Sequence, residues 1–216
     1  TSSVTNMAHA FELAHAFNQN LSDWNTSSVT DMTDIFKNTY ALSDTNKGQI
    51  HKAFLSNPNW PHDWRAYVLI DDTNFHSAVD LWFDNQAEAN ATYGHISDWN
   101  TSAVTDMSGA FKWRTEFNED ISDWDVSNVT NMMEMFWFAS SFNQPIGIWD
   151  TGNVTNLAKM FTGAHSFNQP VGDWEVSSVE NLFQIFNGAK SFNQSIHDWN
   201  VSAVKNFYGI FSGAHA

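Results

Sequence analysis

The chain has 216 residues and a formal net charge of −15, because 24 Asp and Glu residues outnumber 9 Lys and Arg residues. This balance argues against nucleic acid and anionic membranes as partners, since both are bound mainly through Lys and Arg. The absence of cysteine excludes disulfides and thiolate metal sites. The sequence contains no run of about 18 apolar residues, so it predicts no membrane-spanning helix.

One phrase of the sequence recurs along the chain, and from Trp99 onward its tryptophans are 25 residues apart. The tryptophans of the phrase are Trp24, Trp99, Trp124, Trp149, Trp174 and Trp199. A valine, a large apolar residue and one or two phenylalanines follow each Trp in the same phase. A fixed period of this length predicts stacked repeats, in which Trp packs on Trp and Phe on Phe in continuous columns.

Two apolar spacings alternate inside each repeat. Spacing typical of one face of a short helix occurs at Val129, Met132, Met135, Phe136 and Ala139. The preceding pattern Ile-x-x-Trp-x-Val is typical of a short strand. Each repeat is therefore predicted to contain a strand, a turn, a short helix and a return loop.

In chain order, residues 1–41 hold the N-terminal repeats, residues 42–92 break the pattern, and residues 93–216 hold regular repeats. In the middle block, Ser43-Asp44-Thr45 and Asp71-Asp72-Thr73 each predict the start of a helix, and residues 67–70 predict a strand. We interpret this block as two degenerate, more helical repeats that continue the stack, and an internal cap is the alternative. The chain starts and ends in mid-repeat, which favours a segment of a longer protein.

The repeat also resembles a known family. The motif Ile-x-x-Trp-Asp-Val-Ser-x-Val-Thr-Asn-Met-x-x-Met-Phe-x-x-Ala-x-x-Phe-Asn-Gln-Pro, seen best at 121–145, 146–170 and 171–195, resembles the BspA-like leucine-rich-repeat surface proteins of bacteria. Ser56-Asn57-Pro58-Asn59-Trp60 and Leu81-Trp82-Phe83-Asp84-Asn85 look like parts of a segment that accompanies such repeats. The resemblance implies an α/β repeat solenoid, a leucine-rich-repeat-like right-handed coil with short parallel strands on one face and short helices on the other. It brings no catalytic residues.

No catalytic arrangement with the required spacing occurs in the sequence. It lacks His-Glu-x-x-His, a glycine-rich phosphate loop and a Gly-x-Ser-x-Gly elbow, so we expect no enzyme and no cofactor other than Ca²⁺. Lys112-Trp113-Arg114 is the only local cluster of basic and aromatic residues in the regular half. An exposed helix end is the preferred interpretation of this cluster, and a contact point is the other.

Polar residues flank each tryptophan, and on a strand with Trp inward they point outward in two columns. The first column is Asp23, Asp98, Asp123, Asp173 and Asp198, interrupted by Ile148. The second column is Asn25, Asn100, Asp125, Asp150, Glu175 and Asn200. Three interpretations of the columns are open. They are a solvated face with some carboxylates bonded to turn amides, an acidic surface for a basic partner, or a Ca²⁺ site. Calcium ligands would come from Asp123, Asp125, Asp150, Asp173 and Glu175.

We therefore expect a non-enzymatic secreted or surface module for protein–protein or adhesion-type contacts. Its predicted partner is a protein or glycan on a cell surface, without nucleic acid or membrane insertion. We expect a monomer located outside the cell or on its surface. The alternative is a structural spacer or stalk of a larger exported protein, stabilised by Ca²⁺. Non-repeating exposed residues on one face favour binding, whereas a uniform face favours a spacer.

Overall fold

The computed structural model describes residues 1–214, which divide into two compact units. Unit 1 comprises Thr1–Leu69 and Asn85–Gly94, and unit 2 comprises Ile70–Asp84 and the chain from His95 onward. The α-helices of the described chain are α1 (Asp44–Phe54), α2 (Phe75–Asp84) and α3 (Gln86–Tyr93). Short 3₁₀ turns cover Arg65–Tyr67, Ile96–Asp98 and Ile146–Ile148. The division of the sequence at residues 41/42 and 92/93 stays a prediction.

Backbone hydrogen bonds join each repeat of unit 2 to the next. The amides of Met132, Glu134, Phe136 and Phe138 donate to carbonyl oxygens of the following repeat at 2.8–3.0 Å. Those acceptors are Asn156, Ala158, Met160 and Thr162. The same pattern recurs one repeat earlier and later. The amides that an α-helix would use internally are therefore committed to the neighbouring repeat.

The predicted α/β solenoid with parallel strands and helices is wrong. The described repeats contain no sheet and are joined at isolated parallel bridges such as Asn131 with Asn156. The segment expected to be a strand is a turn, closed by a 3.2 Å hydrogen bond from the Trp124 amide to the Ile121 carbonyl. Where a helix was expected, Glu134 and Phe138 have φ values of 60° and 57°, in the left-handed region that right-handed helices exclude. Successive turns reproduce the three-residue apolar spacing that predicted a helix.

The predicted aromatic columns are present in unit 2. Its main column stacks neighbouring rings at centroid distances of 5.5–5.7 Å. This column is Phe111, Phe136, Phe161, Phe186 and Phe211. The second phenylalanine of a repeat packs on the first, as Phe142 does on Phe136 at 3.8 Å. Burial of these rings provides the apolar stabilisation that no single repeat could generate alone.

The tryptophans add a directional bond to this packing. The buried Trp124, Trp149, Trp174 and Trp199 each donate Nε1–H to a backbone carbonyl of the preceding repeat. For Trp149 the acceptor is the Ile121 carbonyl at 3.2 Å. Because both groups are shielded from water, the bond fixes the vertical register between repeats.

Helix α2 belongs to unit 2 and begins at Phe75, as the sequence predicted. Just before it, the Asp72 carboxylate accepts hydrogen bonds from the Thr105 amide at 2.7 Å and the Thr105 hydroxyl at 2.6 Å. The Asp106 amide adds a third, at 3.1 Å. These bonds lower the pKa of Asp72 and anchor the turn before α2 to the first regular repeat.

Unit 1 combines two stacked repeats with α1 and α3. Phe11 stacks on Phe36 at 5.2 Å, and the core continues into the buried apolar face of α1. Ser43 caps α1 by accepting from the Asn46 amide at 3.3 Å, as its sequence predicted. The strand predicted at residues 67–70 is wrong, because the chain forms a 3₁₀ turn over Arg65–Tyr67 and then continues without strand pairing.

We expect Trp149→Phe to lower the free energy of unfolding by about 0.5–1.5 kcal/mol, because the Ile121 carbonyl loses the indole N–H and keeps only its bond from the Trp124 amide. Urea unfolding followed by circular dichroism measures the change. Trp113→Phe is the matched control, since Trp113 is exposed, and its effect should stay within about 0.5 kcal/mol. Equal losses in both variants would contradict the role assigned to the indole N–H.

Candidate functional site

All eleven residues of the two predicted polar columns are exposed. In the second column, each side chain accepts from the backbone amide two residues further on. Asp125, for example, accepts from the Ser127 amide at 3.0 Å and from the Ser127 hydroxyl at 2.6 Å. These bonds lower the pKa of the Asp125 carboxyl. The second column therefore stabilises the turn that follows each tryptophan.

The first column has a different environment. In the described structure the Asp123 carboxylate makes no hydrogen bond, and Asp198 lies 3.0 Å from the imidazole of the adjacent His197. The structure brings together three metal-type ligands elsewhere, at His9, Glu12 and Asp34. There the Lys37 ammonium lies 2.7 Å from Asp34 and supplies the positive charge. Calcium binding by the columns stays a prediction.

A second exposed feature lies on the turns that join neighbouring repeats. In every regular repeat two positions adopt positive φ, and the chain fills them in two ways. Glycine occupies them at Gly109, Gly163, Gly188, Gly209 and Gly213. Larger side chains occupy them at Trp113, Glu134, Phe138, Lys159 and Gln184. Large residues in this region are strained, and four of these five come together at one surface.

We call this surface the lysine–tryptophan patch. It is formed by Lys112, Trp113, Glu134, Trp137, Phe138 and Lys159. The Trp113 ring stacks on Phe138 at 4.3 Å with an interplanar angle of 3°. Phe138 in turn lies on Gly163, where a Cβ atom would fall 2.6 Å from its ring. This arrangement supports the Trp113 indole from beneath while 55% of the residue stays exposed.

Ionic contacts hold the other half of the patch. Glu134 accepts from Lys112 at 2.9 Å and from Lys159 at 3.2 Å. Burial disfavours its charge, but the hydrogen bonds and charges of the two lysines outweigh that effect and lower the pKa of its carboxyl. Both ammonium groups also lie over the Trp137 ring, at 4.2 and 4.8 Å from its centroid. The Trp137 Nε1–H is buried without an acceptor.

The cluster Lys112-Trp113-Arg114 is not a helix end, because these residues lie in turns between repeats. Arg114 points to α2, where it lies 2.9 Å from Asp80 and over the Phe83 ring at 4.2 Å. The partners of Lys112 in the patch come from the next repeat. The sequence analysis did not predict the patch. The available signal was the 25-residue period, which places Trp137 one repeat after Lys112 and Lys159 one repeat after Glu134.

Unit 1 contains an open cleft of about 460 Å³ beside His51, Trp60, His62 and Asp63. Only 2% of His51 is exposed. Its Nδ1 accepts from Trp60 Nε1–H at 2.9 Å, and its Nε2–H donates to the Ala91 carbonyl at 3.3 Å. Both ring nitrogens are thus engaged, so His51 has none free to act as a base.

The surroundings lower the pKa values of His51, His62 and Asp63 in this cleft. Burial lowers the pKa of His51. Burial and the neighbouring His51 lower the pKa of His62, whose Nε2 has no partner. Asp63 forms a two-pronged ion pair with Arg65, which lowers its pKa to about 2. The cleft is therefore built around two neutral imidazoles and one compensated carboxylate.

These features define a tandem-repeat protein whose repeats share backbone hydrogen bonds and differ mainly in the side chains on their turns. A family model described as "Mycoplasma protein of unknown function, DUF285" matches residues 1–55, 77–180 and 147–216, and the chain belongs to this family. The resemblance to BspA-like leucine-rich-repeat proteins is corrected by this match to a different family. No curated protein and no solved structure matches the chain.

Within the described residues, none of the helices has the length and apolar character needed to cross a membrane.

The two polar columns are predicted to respond differently to substitution. Asp125→Ala should lower the free energy of unfolding by about 0.5–2 kcal/mol, the range for losing a side-chain cap of backbone amides. Asp123→Ala, two residues away, should change it by less than about 0.5 kcal/mol. Urea unfolding at neutral pH measures both. Similar effects of the two substitutions would show that the turn bonds of Asp125 are unimportant.

Acid is predicted to destabilise unit 1 through its neutral imidazoles. Because the folded-state pKa values of His51 and His62 lie below 6.5, the unfolded chain binds more protons as the pH falls below that value. The stability from these groups is present above pH 6.5 and is lost as the pH falls through the lowered pKa values. His51→Gln should therefore flatten the dependence of the urea midpoint on pH between about 7 and 5.

The control for this experiment is Ile50→Val, because Ile50 is buried in unit 1 and carries no ionisable group. It should lower the urea midpoint while leaving its dependence on pH parallel to that of the unsubstituted chain. Parallel profiles for the unsubstituted chain and His51→Gln would contradict the prediction.

Proposed function

We propose that this chain is a non-enzymatic binding module that contacts a protein or glycan on a cell surface through the lysine–tryptophan patch. The observation that carries the proposal is the Trp113 indole, which is exposed, stacked on Phe138 and held at a strained backbone position. Trp113, Glu134, Phe138 and Lys159 have φ values of 57–63°. Such conformations cost about 1–3 kcal/mol each for residues other than glycine.

Glycine would avoid this strain, and neighbouring repeats use it at the same positions. The register of Trp113 and Phe138 continues through Gly163, Gly188 and Gly213. One face of the Trp113 ring is covered by Phe138, and more than half of the residue stays exposed. A large, exposed aromatic residue kept at a strained position is typical of a binding site.

The variation of the patch also favours binding over a spacer. The polar columns beside the tryptophans repeat Asp, Asn or Glu with one exception, Ile148. On the turns, the register of Glu134 runs Gly109, Glu134, Lys159, Gln184 and Gly209. A spacer needs only the repetitive part of each repeat, whereas a binding surface needs particular side chains at particular places.

Removal of the exposed indole is predicted to remove binding without unfolding the chain. The labelled chain is applied to immobilised neutral polysaccharides, anionic polysaccharides and extracellular-matrix proteins such as collagen and fibronectin. We expect binding to at least one of these probes, and a loss of at least about tenfold for Trp113→Ala, as for an aromatic anchor of an interface.

Leu13→Ala is the matched control. Leu13 occupies the same register in unit 1, with φ 60° against 63° for Trp113 and 57% exposure against 55%. Its substitution should leave binding unchanged, and urea unfolding verifies that both variants fold. Equal binding by the unsubstituted chain and Trp113→Ala would contradict the use of this patch. Binding to none of the probes would favour the spacer.

A further inference from the structure

We infer that the ligand of the lysine–tryptophan patch is a neutral polysaccharide, and this inference rests on the proposed function. The first reason is the shape of the site. Trp113 lies parallel to Phe138, and Phe138 lies on Gly163. One face of the indole is covered in this way, so the exposure of Trp113 belongs to its other face and its edges. A supported, flat indole is suited to stacking against the C–H face of a sugar ring.

A second exposed ring lies further along the same turns. Tyr208 stacks on Phe183 at 5.7 Å, with an interplanar angle of 16°, and 70% of it is exposed. The Lys159 ammonium links the two places, because it lies 4.8 Å from the Trp137 centroid and 5.8 Å from that of Phe183. Contacts therefore run without a break across the repeats from Trp113 to Tyr208. Such a row suits an extended polymer better than a compact ligand.

The charges favour a neutral polymer over an anionic one. The ammonium groups of Lys112 and Lys159 are both bound to Glu134 and both lie over Trp137. The nearby Arg114 is paired with Asp80. Glu134 neutralises one of the two ammonium charges and Asp80 neutralises Arg114, so little positive charge remains at the patch. The net charge of the chain, −15, repels polyanions.

Polar groups at the patch can select among sugars. The Lys112 and Lys159 ammonium groups have donors beyond those used by the Glu134 oxygens, because an ammonium carries three. Hydroxyl groups accept from such donors without bringing a charge of their own. Stacking on Trp113 beside fixed donors is thus the recognition chemistry that the patch offers.

Affinity electrophoresis in native gels tests this inference. The gels contain a neutral β-glucan, α-mannan or xylan, or, for comparison, the anionic polymers alginate or heparin. We expect at least one neutral polysaccharide to retard the chain. Trp113→Ala should weaken this retardation at least tenfold and Tyr208→Ala several-fold, while Leu13→Ala should not change it. Retardation should persist from about 0.05 M to about 0.5 M salt, since screening affects charge pairs and not stacking.

The outcomes separate the inference from the proposed function. Retardation only by alginate or heparin, lost at high salt, would overturn a neutral ligand. Trp113-dependent binding only to a matrix protein would also overturn it and would leave the binding module intact. Failure of every polysaccharide and every matrix protein to bind would overturn both. Retardation by a neutral polymer that Trp113→Ala does not reduce would place the polysaccharide site elsewhere and overturn the assignment to the patch.

Discussion

The transfer of backbone hydrogen bonds from within a repeat to the neighbouring repeat controls the structure of unit 2. Amides such as those of Met132, Glu134 and Phe136 donate to the next repeat. They therefore cannot form the hydrogen bonds of a helix within their own repeat. The turns that result keep apolar side chains inward at three-residue intervals. Aromatic columns and the bonds from indole N–H groups then close the interior between repeats. The exposed turns are left free to vary.

The sequence predicted the period, the aromatic columns and the starts of α1 and α2 because these depend on which residues are apolar and which cap a helix. It could not predict the backbone conformation of the repeat. Apolar residues at i, i+3 and i+7 occur both on a helix face and on consecutive turns, so periodicity does not separate the two. Glycines at 109, 163, 188 and 209 were the overlooked signal, since they fall inside the predicted helices at the two registers that adopt positive φ.

The candidate site was predictable only in part. The polar columns were found, and one of their three interpretations, carboxylates bonded to turn amides, describes the second column, as at Asp125. Lys112-Trp113-Arg114 is recognisable in the sequence as a cluster, but its environment depends on residues from other repeats. A pattern of three consecutive residues cannot predict a contact with a residue 25 positions away. The exposure of Trp113 and its φ angle depend on contacts between repeats, which no pattern within one repeat specifies.

The small size of Gly163 has a consequence for how this family can diversify. At the left-handed turn positions of the repeats from Gly109 to Gly188 the backbone amide donates to the next repeat, so glycine and a bulky residue fit the same main chain. Exchanging one for the other in a single repeat alters the surface, provided that the next repeat supplies either a glycine, as Gly163 does for Phe138, or a ring to stack on, as Phe138 does for Trp113. Duplication of repeats followed by such exchanges gives evolution a way to change what is recognised while the scaffold stays constant.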